Sequence, residues 1–222
     1  MGVIALVAMI LGWVVVTDRI EATAPEPSVA GQGQVTAAET VAALPVKGRA
    51  PRTDYDRALF GQTWADVDRN GCDTRNDVLR RDLVEVVIKE GTQGCRVESG
   101  MLVDPYSDEL VLFVRGERGV DIDHVVALSD AWQKGAQQWT PKQREAFAND
   151  PLNLLAISTR LNQQKGAGDA ASWLPPKRAY RCAYVARQAA VKQRYGAWVT
   201  PAEQDAMLQV LHHCPNEPLP TG

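Results

Sequence analysis

Apolar residues fall along this chain in short blocks whose spacing changes character several times. Residues 3–16 form one unbroken apolar run. From about 18 to 50, Ala, Pro, Gly, Thr and Val mix with neither helical nor alternating period, which reads as a flexible tether. A short helical stretch up to about Phe60 comes next, then a turn-rich acidic loop over residues 64–77. Asp73 or Thr74 supplies an N-cap for a helix on which Val78, Leu79, Leu83, Val86 and Val87 recur at helical spacing until Gly91 stops it. Apolar runs at 101–103 and 110–114, separated by the turn sequence 104–108, predict a hairpin. Residues 120–128 form the next strand candidate. Helices are expected at about 128–136 and at 141–148, the latter opened by Thr140-Pro141. A strand at 152–157, a short helix at 159–165 ended by Gly166, and two longer helices at about 176–195 and 201–213 complete the pattern. No internal repeat is visible.

A length of 222 residues suits one domain with a proper core plus a tail, and the 45% hydrophobic and 23% charged shares exclude a disordered chain and a multi-span membrane protein. The expected organisation is an apolar leader at 1–17, a linker at 18–50, a domain at 51–214 and a tail at 215–222. The leader has the length of a signal-peptide core and falls short of the ~20 residues of a membrane span. Its first basic residue, Arg19, follows the run, so the usual positive flank is missing. A cleaved signal, with Ala22-Thr23-Ala24 or Ser28-Val29-Ala30 as the cleavage region, and a retained membrane anchor both fit. Either places the remainder outside the cytoplasm, secreted or tethered. Cys72, Cys95, Cys182 and Cys214 suit two disulfides in such a compartment. Pairing Cys72 with Cys95 and Cys182 with Cys214 closes the shorter loops and brackets a helix each time. Zinc is disfavoured, because no Cys-x-x-Cys occurs and His212 and His213 are adjacent.

The formal charge of −3 hides an asymmetry: residues 160–195 hold eight Lys and Arg against Asp169 alone. A basic segment suits a polyanionic partner, although such runs are more often solvated helix faces. Asp66, Asp68, Asn70, Gly71 and Asp77 partly match a calcium loop, with Asp where the last position is usually Glu. A turn whose carboxylates cap the following helix accounts for them better.

The chemistry concentrates at Asp121-Ile122-Asp123-His124-Val125-Val126, where an imidazole lies beside carboxylates, with Asn153 and Asn162 following. Neutral imidazole can take a proton from water near pH 7, and a divalent cation can neutralise a phosphate and assist the leaving oxygen. Asp123 and the Asn162 carbonyl are hard oxygen donors of the kind Mg²⁺ prefers, while Asn153 would hold the loop and orient His124. Neighbours in a strand point to opposite faces, so the strand must end or twist at Asp123-His124 for both to serve one phosphate.

Asp121-x-Asp123-His124-Val125-Val126, then 149–154 (Asn-Asp-Pro-Leu-Asn-Leu), then 162–166 (Asn-Gln-Gln-Lys-Gly), resembles the HNH endonucleases, and most closely an exported branch related to the C-terminal HNH domain of GmrSD-type restriction enzymes. Segments 71–76, 147–150, 173–176 and 180–182, with Trp132, Gly135, Trp139, Arg144, Val191 and Lys192, extend the likeness over about residues 50–214. The resemblance implies an α+β fold: a ββα-metal (HNH, or His-Me finger) core elaborated with α-helices and a β-hairpin and braced by disulfides. It implies a hydrolase acting on nucleic acid, DNA ahead of RNA, with low sequence specificity. His124 would be the general base, Asp123 and Asn162 the ligands of one Mg²⁺ or Mn²⁺, and Asn153 the supporting residue. Lys165, Arg75 and Arg144 are the candidates for substrate binding, and a monomer is expected. Asn162 stands where the family name has its final His, and Ala127 where Pro often follows the His segment. The competing reading is a non-catalytic extracellular module that binds nucleic acid, or calcium at Asp66, Asp68 and Asn70.

Overall fold

A computed structural model describes residues 35–221, so the apolar leader and the first part of the expected linker lie outside the described residues. The rest of that linker is built into the domain. Helix α1 (Ala37–Ala43) opens with a capping box in which the Thr36 hydroxyl accepts from the Glu39 amide and the Glu39 carboxylate accepts from the Thr36 amide. Ala37 and Val41 are fully buried against α6 (Arg181–Tyr195) and α7 (Pro201–Leu211). The tether reading therefore fails from residue 36 onward. Thr36-x-x-Glu39 was a start signal that the Ala- and Pro-rich composition masked.

A second difference falls after the acidic loop. Helix α2 (Thr74–Asp82), capped by Asp73, stops at Leu83, and β1 (Leu83–Ile88) begins where helical spacing suggested continuation. Val84, Val86, Val87 and Ile88 are β-branched, which favours an extended chain once a partner strand is present. That partner is β2 (Val97–Val103), paired antiparallel with β1 and, across the expected hairpin, with β3 (Leu110–Val114). The β1 register slips between Val84 and Val87, where Glu85 takes φ 52°, a bulge that absorbs the mismatch. The disulfide Cys72–Cys95 ties the loop before α2 to the β1–β2 turn, and Cys182–Cys214 ties α6 to the chain beyond α7.

The elements that position the site are β4 (Val120–His124) and β5 (Leu154–Ser158), an antiparallel pair followed at once by α5 (Thr159–Lys165). Between the two strands run α3 (Leu128–Gln133) and α4 (Pro141–Ala148). Strand β4 stops at His124 rather than continuing to 128. Three apolar clusters meet along this stretch: Val120 and Ile122 belong to one, Val125 to another and Val126 to the third. A strand whose successive residues enter different cores has little freedom to slip.

Residues 49–65 cross the domain as a strap fastened by polar anchors. The Ala50 amide donates to Gln133 O, the Trp132 indole to Thr53 O (3.1 Å), Arg144 Nε to Leu59 O (2.9 Å) and Asn149 Nδ2 to Gln62 O (3.0 Å). Phe60, on a 3₁₀ turn (Arg57–Phe60), packs in the cluster with Trp132 and Phe147. Arg49 pins the start of the strap to Asp130 (2.9 Å) and Asp169 (2.6 Å).

Candidate active site

Asn153 ends β4. Fully buried, it accepts the Val125 amide on its backbone carbonyl and the Val126 amide on Oδ1 (both 2.8 Å), and its Nδ2 donates to Val126 O (3.2 Å). The chain is thereby bent out of the strand just after His124. Asp123, His124 and Asn162 all line one cavity of about 250 Å³.

His124 is only 8% exposed. Its Nε2 lies 2.8 Å from Ala148 O at the end of α4. A carbonyl oxygen can only accept, so this contact places the proton on Nε2 and leaves the Nδ1 lone pair free. The ring stacks on Trp64 at 6.5 Å and 16°, beside a smaller cavity of about 20 Å³. Burial drives the imidazole pKa down to about 3; the contact with Ala148 O opposes this, and the Arg57 and Lys165 charges add to it. The ring is therefore neutral across the working pH range.

Asp123, 4% exposed, accepts from Lys165 Nζ on Oδ1 (2.9 Å) and from the Tyr106 hydroxyl on Oδ2 (2.8 Å). Burial pushes its carboxyl above the usual range, and Lys165 and Tyr106 offset part of that. Asn162 Nδ2 donates to Asp121 Oδ2 at 3.1 Å, which fixes the amide and leaves its carbonyl oxygen available. Asp121 thus orients Asn162.

The structure redistributes the substrate-binding candidates. Lys165 is buried, held by Asp123 and by His124 O (2.8 Å), so it braces the site from behind and cannot reach flanking phosphates. Arg144 is spent on three peptide carbonyls, of Leu59, Ala136 and Trp139, as an anchor of the strap. Arg75 lies over the Trp64 ring at 5.8 Å, one aromatic removed from His124. The basic segment is largely neutralised internally: Arg160 pairs with Glu109, Lys165 with Asp123, Lys177 with Asp108, Lys192 with Glu203 and Arg194 with Asp150.

The calcium reading of the acidic loop is not supported. Asp66 and Asp68 accept the amides of Asn70 and Gly71, and Asp77 accepts from Asn70 and pairs with Arg80. These carboxylates fold the loop onto itself. Cys182, Cys214 and Glu217 come close together, but the two sulfurs are bonded to each other and offer no thiolate. At the cavity the donor set is one carboxylate and one amide oxygen, which suits a hard cation that keeps most of its water.

Sequence reasoning missed three participants. Tyr106 was read as a turn residue, yet it is fully buried and holds Asp123. Trp64 and Arg57 lie on the strap, which has no period to announce it.

Fold and site together define a disulfide-braced α+β domain in which the strap, β4, α3 and α5 with the residues that follow it line a recessed polar cavity. Residues 73–210 match the family model of the C-terminal domain of GmrSD restriction endonucleases, and the chain belongs to that nuclease family. It is 38% identical over 181 residues to an uncharacterized secreted protein of Arthroderma benhamiae, a match covering 81% of this chain and 85% of that protein. No solved structure matches it.

Proposed function

We propose that this protein is an exported, metal-dependent endonuclease that hydrolyses phosphodiester bonds of nucleic acid, DNA in the first place, with His124 as general base. The observation that carries this reading is the fixed tautomer of His124: Nε2–H is held by Ala148 O, so Nδ1 is the basic atom, and it belongs to a residue that lines the same cavity as Asp123 and Asn162. The family relationship and the two disulfides support it, as does the likeness to a secreted fungal protein.

In this reading Nδ1 takes the proton from a water molecule whose oxygen forms the new bond to phosphorus as the P–O3′ bond breaks. A phosphodiester in the cavity brings negative charge beside the ring and raises its proton affinity at the moment it must act. Asp123 and Asn162 would hold the cation, and Mg²⁺ bound there would supply charge neutralisation on the phosphate and on the departing oxygen. Lys165 and Tyr106 fix the Asp123 carboxylate from behind, and Asn153 fixes the backbone that carries His124.

The full-length protein is expected to nick and linearise plasmid DNA with Mg²⁺ or Mn²⁺ and to stop when chelator is added. Gel assays on DNA and RNA with each metal make the measurement. Tight nucleic-acid binding with no cleavage in any metal would instead establish a binding module.

A further inference from the structure

We infer that Arg57 and Ser129 form a phosphate-binding subsite on the wall of the His124 cavity, supplied jointly by the strap and by α3. The inference rests on the nuclease reading of that cavity and names how its substrate is held.

Two independent observations converge. Arg57 lines both the larger cavity and the smaller one beside Trp64. Among the described residues it has no carboxylate within 4.0 Å and donates no side-chain hydrogen bond, and its residue is exposed. This sets it apart from Arg49, Arg144, Arg160 and Arg194, each of which is committed to a carboxylate or to carbonyls. An arginine that need break no ion pair and shares the cavity walls with the recessed His124 is placed to meet an anion, and its planar fork suits two phosphate oxygens.

Ser129 is the second observation. It is 8% exposed, it lines the same cavity, and its Oγ has no hydrogen-bond partner. A buried hydroxyl left unpaired costs free energy, and one carried by a residue of the cavity wall can recover that cost from a partner that binds there. A phosphate oxygen is the acceptor that would satisfy both Ser129 and the guanidinium. Asp123 and Asn162 contribute oxygens to the cavity and cannot donate to phosphate through them, so they leave this task to other residues.

Arg57 lies before the stretch that matches the family model, residues 73–210. The subsite thus depends on the strap, whose anchors to Trp132, Arg144 and Asn149 hold the segment that carries Arg57.

The test is binding of a fluorescein-labelled DNA oligonucleotide to the full chain in chelator, where no cleavage occurs, across a salt series, with kcat and KM measured separately in Mg²⁺. Arg57→Ala should weaken binding about tenfold and reduce the slope of log K against log salt by about one, and Arg57→Lys should restore the slope. Arg118→Ala removes the same charge at the far end of β4 and should leave affinity within about twofold. Ser129→Ala should weaken binding several-fold with the slope unchanged, while melting no lower than the parent, because it removes an unpaired buried hydroxyl. A merely structural serine would not separate those two readouts. If Arg57→Ala matches Arg118→Ala, or if Ser129→Ala binds like the parent, the subsite is wrong even though the parent cleaves DNA. A parent that neither binds nor cleaves nucleic acid overturns both the subsite and the nuclease reading.

Discussion

His124→Ala lowers kcat for DNA cleavage by about 10²–10⁴-fold while the protein keeps its circular dichroism spectrum and both disulfides. The size is that of a lost general base. The variant also leaves Ala148 O without its donor, so a stability loss of about 1–3 kcal/mol accompanies it, and activity must be compared below the lowered melting transition. The pH profile separates this base from an ordinary surface histidine. With its pKa depressed to about 3 by burial, the ring stays neutral through the range where a solvated histidine would titrate near 6.5. Activity should show no acid limb at pH 6–7. Stability behaves differently: the unfolded chain takes up a proton at this residue below about pH 6.5 and the folded chain does not until about pH 3. The contribution of this histidine is thus complete above about 6.5 and is lost progressively as pH falls toward 3. His124→Ala should lack that component. Cleavage retained within threefold of the parent would remove His124 from the reaction.

The contrast between His124 and the strap shows what the chain declares in its sequence. Asp123 and His124 end β4, Asn153 immediately precedes β5 and Asn162 lies on α5, so their placement follows from local geometry. The strands and helix were legible as periodicity, except where β1 follows α2, because Leu83, Val86 and Val87 satisfy a helical count as well as a strand. The partner that decides between them, β2, comes later in the chain. The strap has no such handle. Its conformation comes from Trp132, Arg144 and Asn149, distant in sequence, and its consequence for the site, the placement of Arg57, appears only in three dimensions. Charge misled for a related reason. The basic run from Arg160 to Tyr195 suggested a polyanion face, but most of its cations are answered by acids from elsewhere in the chain, among them Glu109, Asp123, Asp130, Asp150 and Glu203. A net count along the sequence cannot distinguish a solvated cation from one folded against a carboxylate.

The largest of these internal pairings carries the second major prediction: Lys134→Met destabilises the domain by about 3–5 kcal/mol. Lys134 Nζ is fully buried and touches Asp130 Oδ1 (2.7 Å), Asp169 Oδ2 (2.8 Å) and Glu203 Oε2 (2.7 Å). Lys192 reaches Glu203 Oε1 at 3.0 Å and Asp130 Oδ2 at 3.6 Å, while Arg49 covers Asp130 and Asp169 from the strap. Three cations thus balance three carboxylates, and they join α3, α6, α7, the loop after α5 and the start of the strap. Methionine keeps most of the side-chain volume, so the loss measures charge rather than packing. With Lys134 gone, three buried carboxylates face two cations, and the unpaired charge has no water to solvate it. The pH dependence has a definite sign. Burial opposes ionisation of Asp169, yet hydrogen bonding and attraction from Lys134, with Arg49 adding to them, hold its pKa down at about 2. The stability this carboxylate contributes is present above its ordinary value near 3.9 and is lost as pH falls toward 2. The deficit of Lys134→Met relative to the parent should therefore be full at pH 7 and shrink between about pH 4 and 2. Urea unfolding at pH 7 and at pH 3 measures both. A loss below about 1 kcal/mol at neutral pH would mean that the carboxylates relax into water, and that this ion cluster adds little to the hold on the strap and α7.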